Sequence, residues 1–196
     1  MKISKIDLAG RTFDEIFEGI APEKIACCNW AEDFPYAPDV TFKMFHTGDK
    51  LYIRFDVEEQ YTAARITEDN GDVWTDSCCE FFFSLDGKAY YNIECNCIGR
   101  MLCGHYTEKG APALRAGAEI LSQVERITSL GYEPFEERVG DNKWSLQIIR
   151  EFGKEIQSGL FFHFVNADGK YLQWLIGRTV RNNKTDHFLR WSQVIS

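Results

Sequence analysis

The sequence predicts an all-β fold: an antiparallel β-sandwich of the jelly-roll or immunoglobulin-like kind, with one short helix in an insertion. Three observations carry that expectation. Apolar and polar residues alternate at a period of two along much of the chain. Turn signals such as Thr47-Gly48-Asp49 separate the alternating runs. Aromatic residues, which suit half-buried pleated surfaces, make up 14% of the 196 residues. That length suits a single domain, residues 1–196, with its own core, and no repeat or linker divides it.

The elements follow in chain order. Residues 1–38 read as a lead-in packed on the sandwich, ending in the Pro-punctuated "DFPYAPD". A hairpin comes next: Val40, Phe42 and Met44 share one face, as do Leu51, Ile53, Phe55 and Val57, while Tyr52, Arg54, Asp56 and Glu58 face away. In "CCEFFFSL" the residues Cys79, Phe81, Phe83 and Leu85 form an apolar face, and Cys78, Glu80, Phe82 and Ser84 form the other. Its partner carries Tyr91, Ile93, Cys95 and Cys97 on one side and Asn92, Glu94 and Asn96 on the other. Directly opposed residues share a face, so odd numbers must pair with odd. A three-residue turn, Asp86-Gly87-Lys88, achieves this and pairs Phe81 with Ile93 and Cys79 with Cys95. The same register sets Glu80 against Glu94. Opposed like charges are unfavourable, so water, a cation or a hydroxyl-rich ligand should compensate them.

Downstream, Leu114, Ala118, Leu121 and Val124 have the spacing of a short helix from Ala111 to about Gln123. Strands resume at "KWSLQIIR", where Trp144, Leu146 and Ile148 alternate, and at "LFFHFVNADGKYLQWLIG", a further hairpin around Asp168-Gly169.

Charge and composition exclude some classes. Thirty acidic against 22 basic residues give a net charge of −8, which argues against nucleic acid as a partner. No apolar run approaches the roughly 20 residues of a membrane span. The start, "MKISKIDLAGRTFDEIF", lacks a signal-peptide core. Seven cysteines, an odd count at spacings unlike secreted scaffolds, read as reduced thiols. Both features lead to the expectation of a cytoplasmic chain.

Three constellations could carry chemistry. Cys95, Cys97, Cys103 and His105 form C-x-C-x5-C-x-H, a possible zinc set, set against free cysteines serving as small core hydrophobes. Glu80 and Glu94 on adjacent strands could give the carboxyl spacing of a retaining glycosidase. Cys103 with His105 as a nucleophile pair ranks below, since neighbours two apart rarely reach the needed geometry. The third is an aromatic clamp: Trp74 and Trp174 could stack on a sugar ring while Glu80, Asn92, Glu94 and Asn96 form a polar floor for its hydroxyls.

"PDVTFKMFHTGDKLYIRFDVEE", "NGDVWTDSCCEFFFSLDG" and "YYNIECNCIG" together resemble the family 9 carbohydrate-binding modules. The likeness is to the bacterial branch with a V-W-x-D-S-C-x-E-F-F signature, related to DOMON-like domains. "TSLGYEPFEE", "WSLQIIR" and "HFVNADGKYLQW" follow in the family's order, so the resemblance spans roughly residues 30–174. It implies a non-catalytic β-sandwich that holds a glucose- or xylose-type sugar, or an oligosaccharide chain end, between two tryptophans. It further implies Trp74 and Trp174 as the stacking pair, Glu80 as a hydroxyl acceptor, and Asn92 and Asn96 on the strand of polar contacts. Structural calcium is implied by the resemblance alone, as is an association with glycoside hydrolases and, in many relatives, an extracellular setting. After Trp174 the chain departs from the family's usual closing segment, which keeps a second reading open: a protein-interaction or scaffold domain with a degenerate sugar site.

Overall fold

The computed structural model describes residues 3–25, 36–83, 89–107 and 113–151, together with the backbone course of 172–177 and 190–193. Two six-stranded sheets enclose the main core. The first contains β1 (Ser4–Lys5), β2 (Glu23–Lys24), β3 (Asp39–His46), β4 (Lys50–Ala64), β9 (Val124–Thr128) and β10 (Phe135–Glu151). Its order is β1-β3-β4-β10-β9, with β2 also pairing β3; β1 runs parallel to β3 and the other pairings are antiparallel. The second contains β5 (Cys78–Phe83), β6 (Tyr90–Asn96), β7 (Met101–Tyr106), β8 (Leu114–Arg115), β11 (Leu172–Gly177) and β12 (Arg190–Gln193), in the order β12-β11-β5-β6-β7-β8.

The alternation expected from sequence decides which side chains fill the core. Val40, Phe42, Met44, Leu51, Ile53, Phe55, Val57, Trp144, Leu146 and Ile148 line the inner face of the first sheet and are all buried. They meet Cys79, Phe81, Ile93, Cys95, Met101 and Cys103 from the second. Burying such apolar surface is worth about 25 cal/mol per Å² removed from water. The register of β5 on β6 is the odd-with-odd one: Phe83 with Tyr91, Phe81 with Ile93, Cys79 with Cys95, and Glu80 with Glu94. The turn expected at Asp86-Gly87-Lys88, with Ser84 and Leu85, lies outside the described residues, as does the hairpin expected around Asp168-Gly169.

Two local expectations change. The helix expected over 111–123 shrinks to α2 (Ala118–Leu121). Leu114 instead belongs to β8 at the edge of the second sheet, Gly117 stands in an extended conformation before the helix, and Val124 opens β9. Pairing with a free sheet edge outcompetes a short helix that must include Gly117. Conversely, the lead-in holds a helix that periodicity does not reveal, α1 (Phe13–Glu18). A capping box starts it: Thr12 Oγ1 accepts from the Glu15 N–H (3.3 Å) and Glu15 Oε2 accepts from the Thr12 N–H (2.7 Å). Ile16 and Phe17 bury against Phe45, Tyr52 and Ile149 on the outer face of the first sheet.

Between β4 and β5 the chain passes from one sheet to the other, and a buried carboxylate fixes the crossing. Asp76 accepts from the backbone N–H groups of Arg65 (2.8 Å) and Ile66 (2.9 Å) and from Asn96 Nδ2 (2.9 Å). Asn96 Nδ2 also donates to the Ile66 carbonyl (3.1 Å), and its Oδ1 accepts from the Arg100 N–H (2.8 Å). Gly99, at φ +79°, closes the tight turn that follows. Ser77 adds a second tie, its hydroxyl accepting from the Ala63 N–H at 3.2 Å. The "DS" of the motif is therefore structural. Asp76→Ala leaves these donors unmet and is expected to lower stability by about 3 kcal/mol. Thr12→Ala, which removes an exposed cap, is expected to cost about 1 kcal/mol. Urea unfolding of both variants checks the ranking, and a smaller loss for Asp76→Ala would contradict it.

Candidate functional site

The pleat of the second sheet turns most of its cysteines away from its carboxylates. Cys79, Cys95, Cys97 and Cys103 take core positions, and together with Cys78 they are free and buried. Burial pushes the Cys103 thiol up to about 11, those of Cys95 and Cys97 higher still, and that of Cys79 well above its ordinary value. His105 stacks on Tyr91, with ring centroids 4.5 Å apart. The possible zinc set is thus divided between apolar packing and an aromatic stack. Among the described residues no three His, Cys, Asp or Glu side chains are grouped to hold a metal ion, zinc or calcium.

On β5, β6 and β7 the outer face of the same sheet is built from even-numbered residues in register. Leu175, Glu80, Glu94 and Leu102 occupy one row of aligned positions; Phe82, Asn92, Gly104 and Arg115 occupy the next. Glu80 and Asn92 are each only 4% exposed, while Glu94 and Phe82 are half-buried. At one end Cys78 and Leu102 form a small apolar cluster with Val73. Trp74, on the 3-10 turn Val73–Thr75, packs against that cluster and stays half-buried. At the other end the Tyr106 ring leans over Gly104, where a Cβ would meet it at 3.1 Å. Leu102 and Tyr106 are four residues apart on one strand, about 13 Å. The face is a polar floor with an aromatic residue at each end.

Hydrogen bonding on that floor is incomplete. Asn92 Nδ2 donates to Glu94 Oε1 at 2.7 Å. Asn92 Oδ1 and Glu94 Oε2 are buried and accept nothing. An unmet buried polar atom costs on the order of 1–3 kcal/mol, so both atoms ask for donors from outside the described chain. Desolvation is the main cause that raises the Glu94 carboxyl from an ordinary 4.5 to about 7. The charge of Arg115 and the Asn92 bond oppose the rise, and Asp72 adds to it. The opposed glutamates are thus relieved in part by a retained proton, an amide and a nearby guanidinium.

Of the remaining expected site residues, Asn96 stands elsewhere. Asn96 is fully buried behind the floor, with both amide hydrogens and its oxygen engaged in the Asp76 tie. The backbone of Trp174 aligns with Phe81 and Trp191, and Leu175 takes the position beside Glu80; the Trp174 side chain lies outside the described residues. Sequence reasoning missed Leu102 and Tyr106, although "MLCGHY" alternates and could have been read as a strand. Arg115 carries no local signal, since only the pairing of β7 with β8 brings it near. The outer face of the first sheet also has an open concavity of about 450 Å³, lined by Arg54, Asp56, Glu58, Lys143 and Ser145 among others. Its charges are already paired, Arg54 with Asp56 at 2.9 Å and Lys143 with Glu58 at 2.7 Å.

A sandwich with one acceptor-rich, aromatic-edged outer face fits a carbohydrate-binding module. The family model described as carbohydrate-binding family 9 matches residues 14–196, and the chain belongs to that family. Its fold is similar to that of a candidate carbohydrate-binding protein from Bacteroides uniformis, at 31% identity and a TM-score of 0.76, over 99% of this chain and 89% of that one. It is also similar to a family 9 module from Caldicellulosiruptor kristjanssonii. The structure with glucose gives a TM-score of 0.55 at 9% identity over 98% and 84% of the two chains, and that with cellotriose gives 0.51 at 8% over 98% and 78%. No curated protein matches the chain by sequence. Membership sets the chain among non-catalytic carbohydrate-binding modules.

The Glu94 environment has a consequence for stability. The unfolded chain releases this proton near pH 4.5, whereas the folded chain keeps it to about pH 7. Between those values the folded state binds more protons, so the Glu94 contribution to stability falls as pH rises and levels off above 7. Urea unfolding between pH 4.5 and 8 is expected to show Glu94→Gln gaining on the wild type across that window. A pH-independent difference would contradict the assignment.

Proposed function

We propose that the chain binds a glucose- or xylose-type sugar, free or at an oligosaccharide chain end, on the outer face of the second sheet. Trp74 supplies the apolar wall, and Glu80, Asn92 and Glu94 accept hydrogen bonds from the hydroxyls. The observation that carries this reading is the pair of buried unmet acceptors, Asn92 Oδ1 and Glu94 Oε2, on a face that also holds Trp74. Sugar hydroxyls are donors, and the C–H face of a pyranose packs on indole. A polysaccharide-targeting role, in company with glycoside hydrolases, follows from family membership and remains part of the proposal.

Trp174 stands in the proposal as a second wall on the family resemblance alone. In the backbone register it is Leu175 that aligns with Glu80, so the two tryptophans call for separate tests. Titration with glucose, xylose and cello-oligosaccharides, followed by Trp fluorescence, is expected to saturate. Trp74→Ala is expected to weaken binding by about tenfold or more, the loss of roughly 1.4 kcal/mol of stacking and burial. Trp174→Ala reports on the second wall independently. A flat response to every sugar, or unchanged affinity in Trp74→Ala, would sink the reading.

A further inference from the structure

Strand β8 is two residues long and covers only Gly104 and His105 on the edge of β7. Ala116, the next residue, donates its N–H to the Cys103 carbonyl at 2.9 Å. Past that point the edge still presents the N–H groups of Cys103 and Met101 and the Met101 carbonyl, and buried backbone groups of this kind need partners. Asp69 and Asn70 meet all three. Asp69 Oδ1 accepts from the Met101 N–H at 3.0 Å, and the Asn70 N–H donates to the Met101 carbonyl at 2.8 Å. Asn70 Oδ1 accepts from the Cys103 N–H at 3.4 Å. Two side-chain oxygens thus stand where the carbonyls of a neighbouring strand would be. Asn70 Nδ2 also donates to the Ala116 carbonyl at 2.9 Å, tying the loop to the end of β8. Asn70 holds φ at +61°, a left-handed conformation that asparagine tolerates better than most residues.

A second fastening comes from the first sheet. Arg126 on β9 sets Nη1 between the two oxygens of Asp69, at 2.7 and 2.8 Å, with the side chains only 21% and 28% exposed. Charge-assisted bonds of this length are stronger than neutral ones. From Asn70 the chain needs four residues to reach Trp74. Little freedom separates the two: the Val73 N–H donates to the Gly71 carbonyl at 2.8 Å, the Thr75 N–H to the Asp72 carbonyl at 2.9 Å, and Val73 is fully buried. The cluster that Trp74 packs against includes Leu102, which lies between Met101 and Cys103 on β7. The strand segment that anchors the loop therefore also supplies the surface on which the indole rests.

From these contacts we infer that Asp69, Asn70 and Arg126 are positioning residues for Trp74, holding the indole at the edge of the polar floor. They act through Trp74 rather than on the sugar. The effect on affinity rests on the proposed sugar site; the effect on the indole does not.

Fluorine NMR of protein labelled with 5-fluorotryptophan reads the indole directly, with the Trp74 and Trp144 resonances assigned by Trp74→Phe and Trp144→Phe. Arg126→Ala and Asn70→Gly, each first checked for a wild-type circular dichroism spectrum, are expected to shift or broaden the Trp74 resonance and leave that of Trp144 in place. Both are expected to weaken glucose binding by about fivefold. Arg126→Lys, which keeps a cationic donor, should recover much of both effects. Thr12→Ala, which loosens α1 on the other sheet, should change neither the Trp74 resonance nor the affinity. A Trp74 resonance at its wild-type position and width in both variants overturns the inference, as does the same change in Thr12→Ala. So does wild-type glucose affinity in variants whose Trp74 resonance has moved. Failure of glucose and its oligomers to bind the wild type overturns the sugar site instead, and the fluorine spectra still decide whether the three residues hold the indole.

Discussion

Everything on the outer face of the second sheet depends on the buried contact between Asp76 and Asn96. Asn96 lies in register with Cys78, two residues beyond Asp76, so their hydrogen bond closes the open end of the β5–β6 pair. The same carboxylate holds the backbone of Arg65 and Ile66, where the chain leaves the first sheet. One group thus fixes both the crossing between sheets and the strand register. A slip of one residue would turn Glu80 and Glu94 inward and the cysteines outward. Burying two carboxylates against Phe42 and Phe55 of the first sheet would be prohibitive.

With the register set, the two faces of β5 and β6 serve different ends. Inward, cysteines act as small apolar side chains whose thiols burial keeps protonated. Outward, Glu80, Asn92 and Glu94 are held close together and largely out of water, with two oxygens left unmet. A stable fold tolerates few such atoms. Their presence on a face edged by Trp74 and Tyr106 is what the proposed sugar site draws on.

Much of this was legible in the sequence because strands print their faces with a period of two. The hairpin of β3 and β4, the alternation in β10, the odd-with-odd register and the Glu80–Glu94 juxtaposition all follow from it. What escaped was set by other forces. The Thr12–Glu15 capping box announces α1, but the helix has too few turns for its apolar stripe to show as a period. Leu114 joined a sheet edge, a non-local choice that local spacing cannot reveal. Asn96 sits on the same face as Asn92 and Glu94 by parity, yet its position at the strand end directs it to Asp76. Trp174 has no stronger warrant than its motif, since only its backbone register, aligned with Phe81, is described.

The central claim is that the unmet oxygens of Asn92 and Glu94 are the acceptors of a bound sugar. The most direct measurement is a crystal structure of the protein with glucose. The account predicts the sugar against the Trp74 indole, with hydroxyl oxygens about 2.5–3.0 Å from Asn92 Oδ1 and Glu94 Oε2. A sugar bound away from this face, or one that leaves both oxygens without a ligand contact, would contradict it.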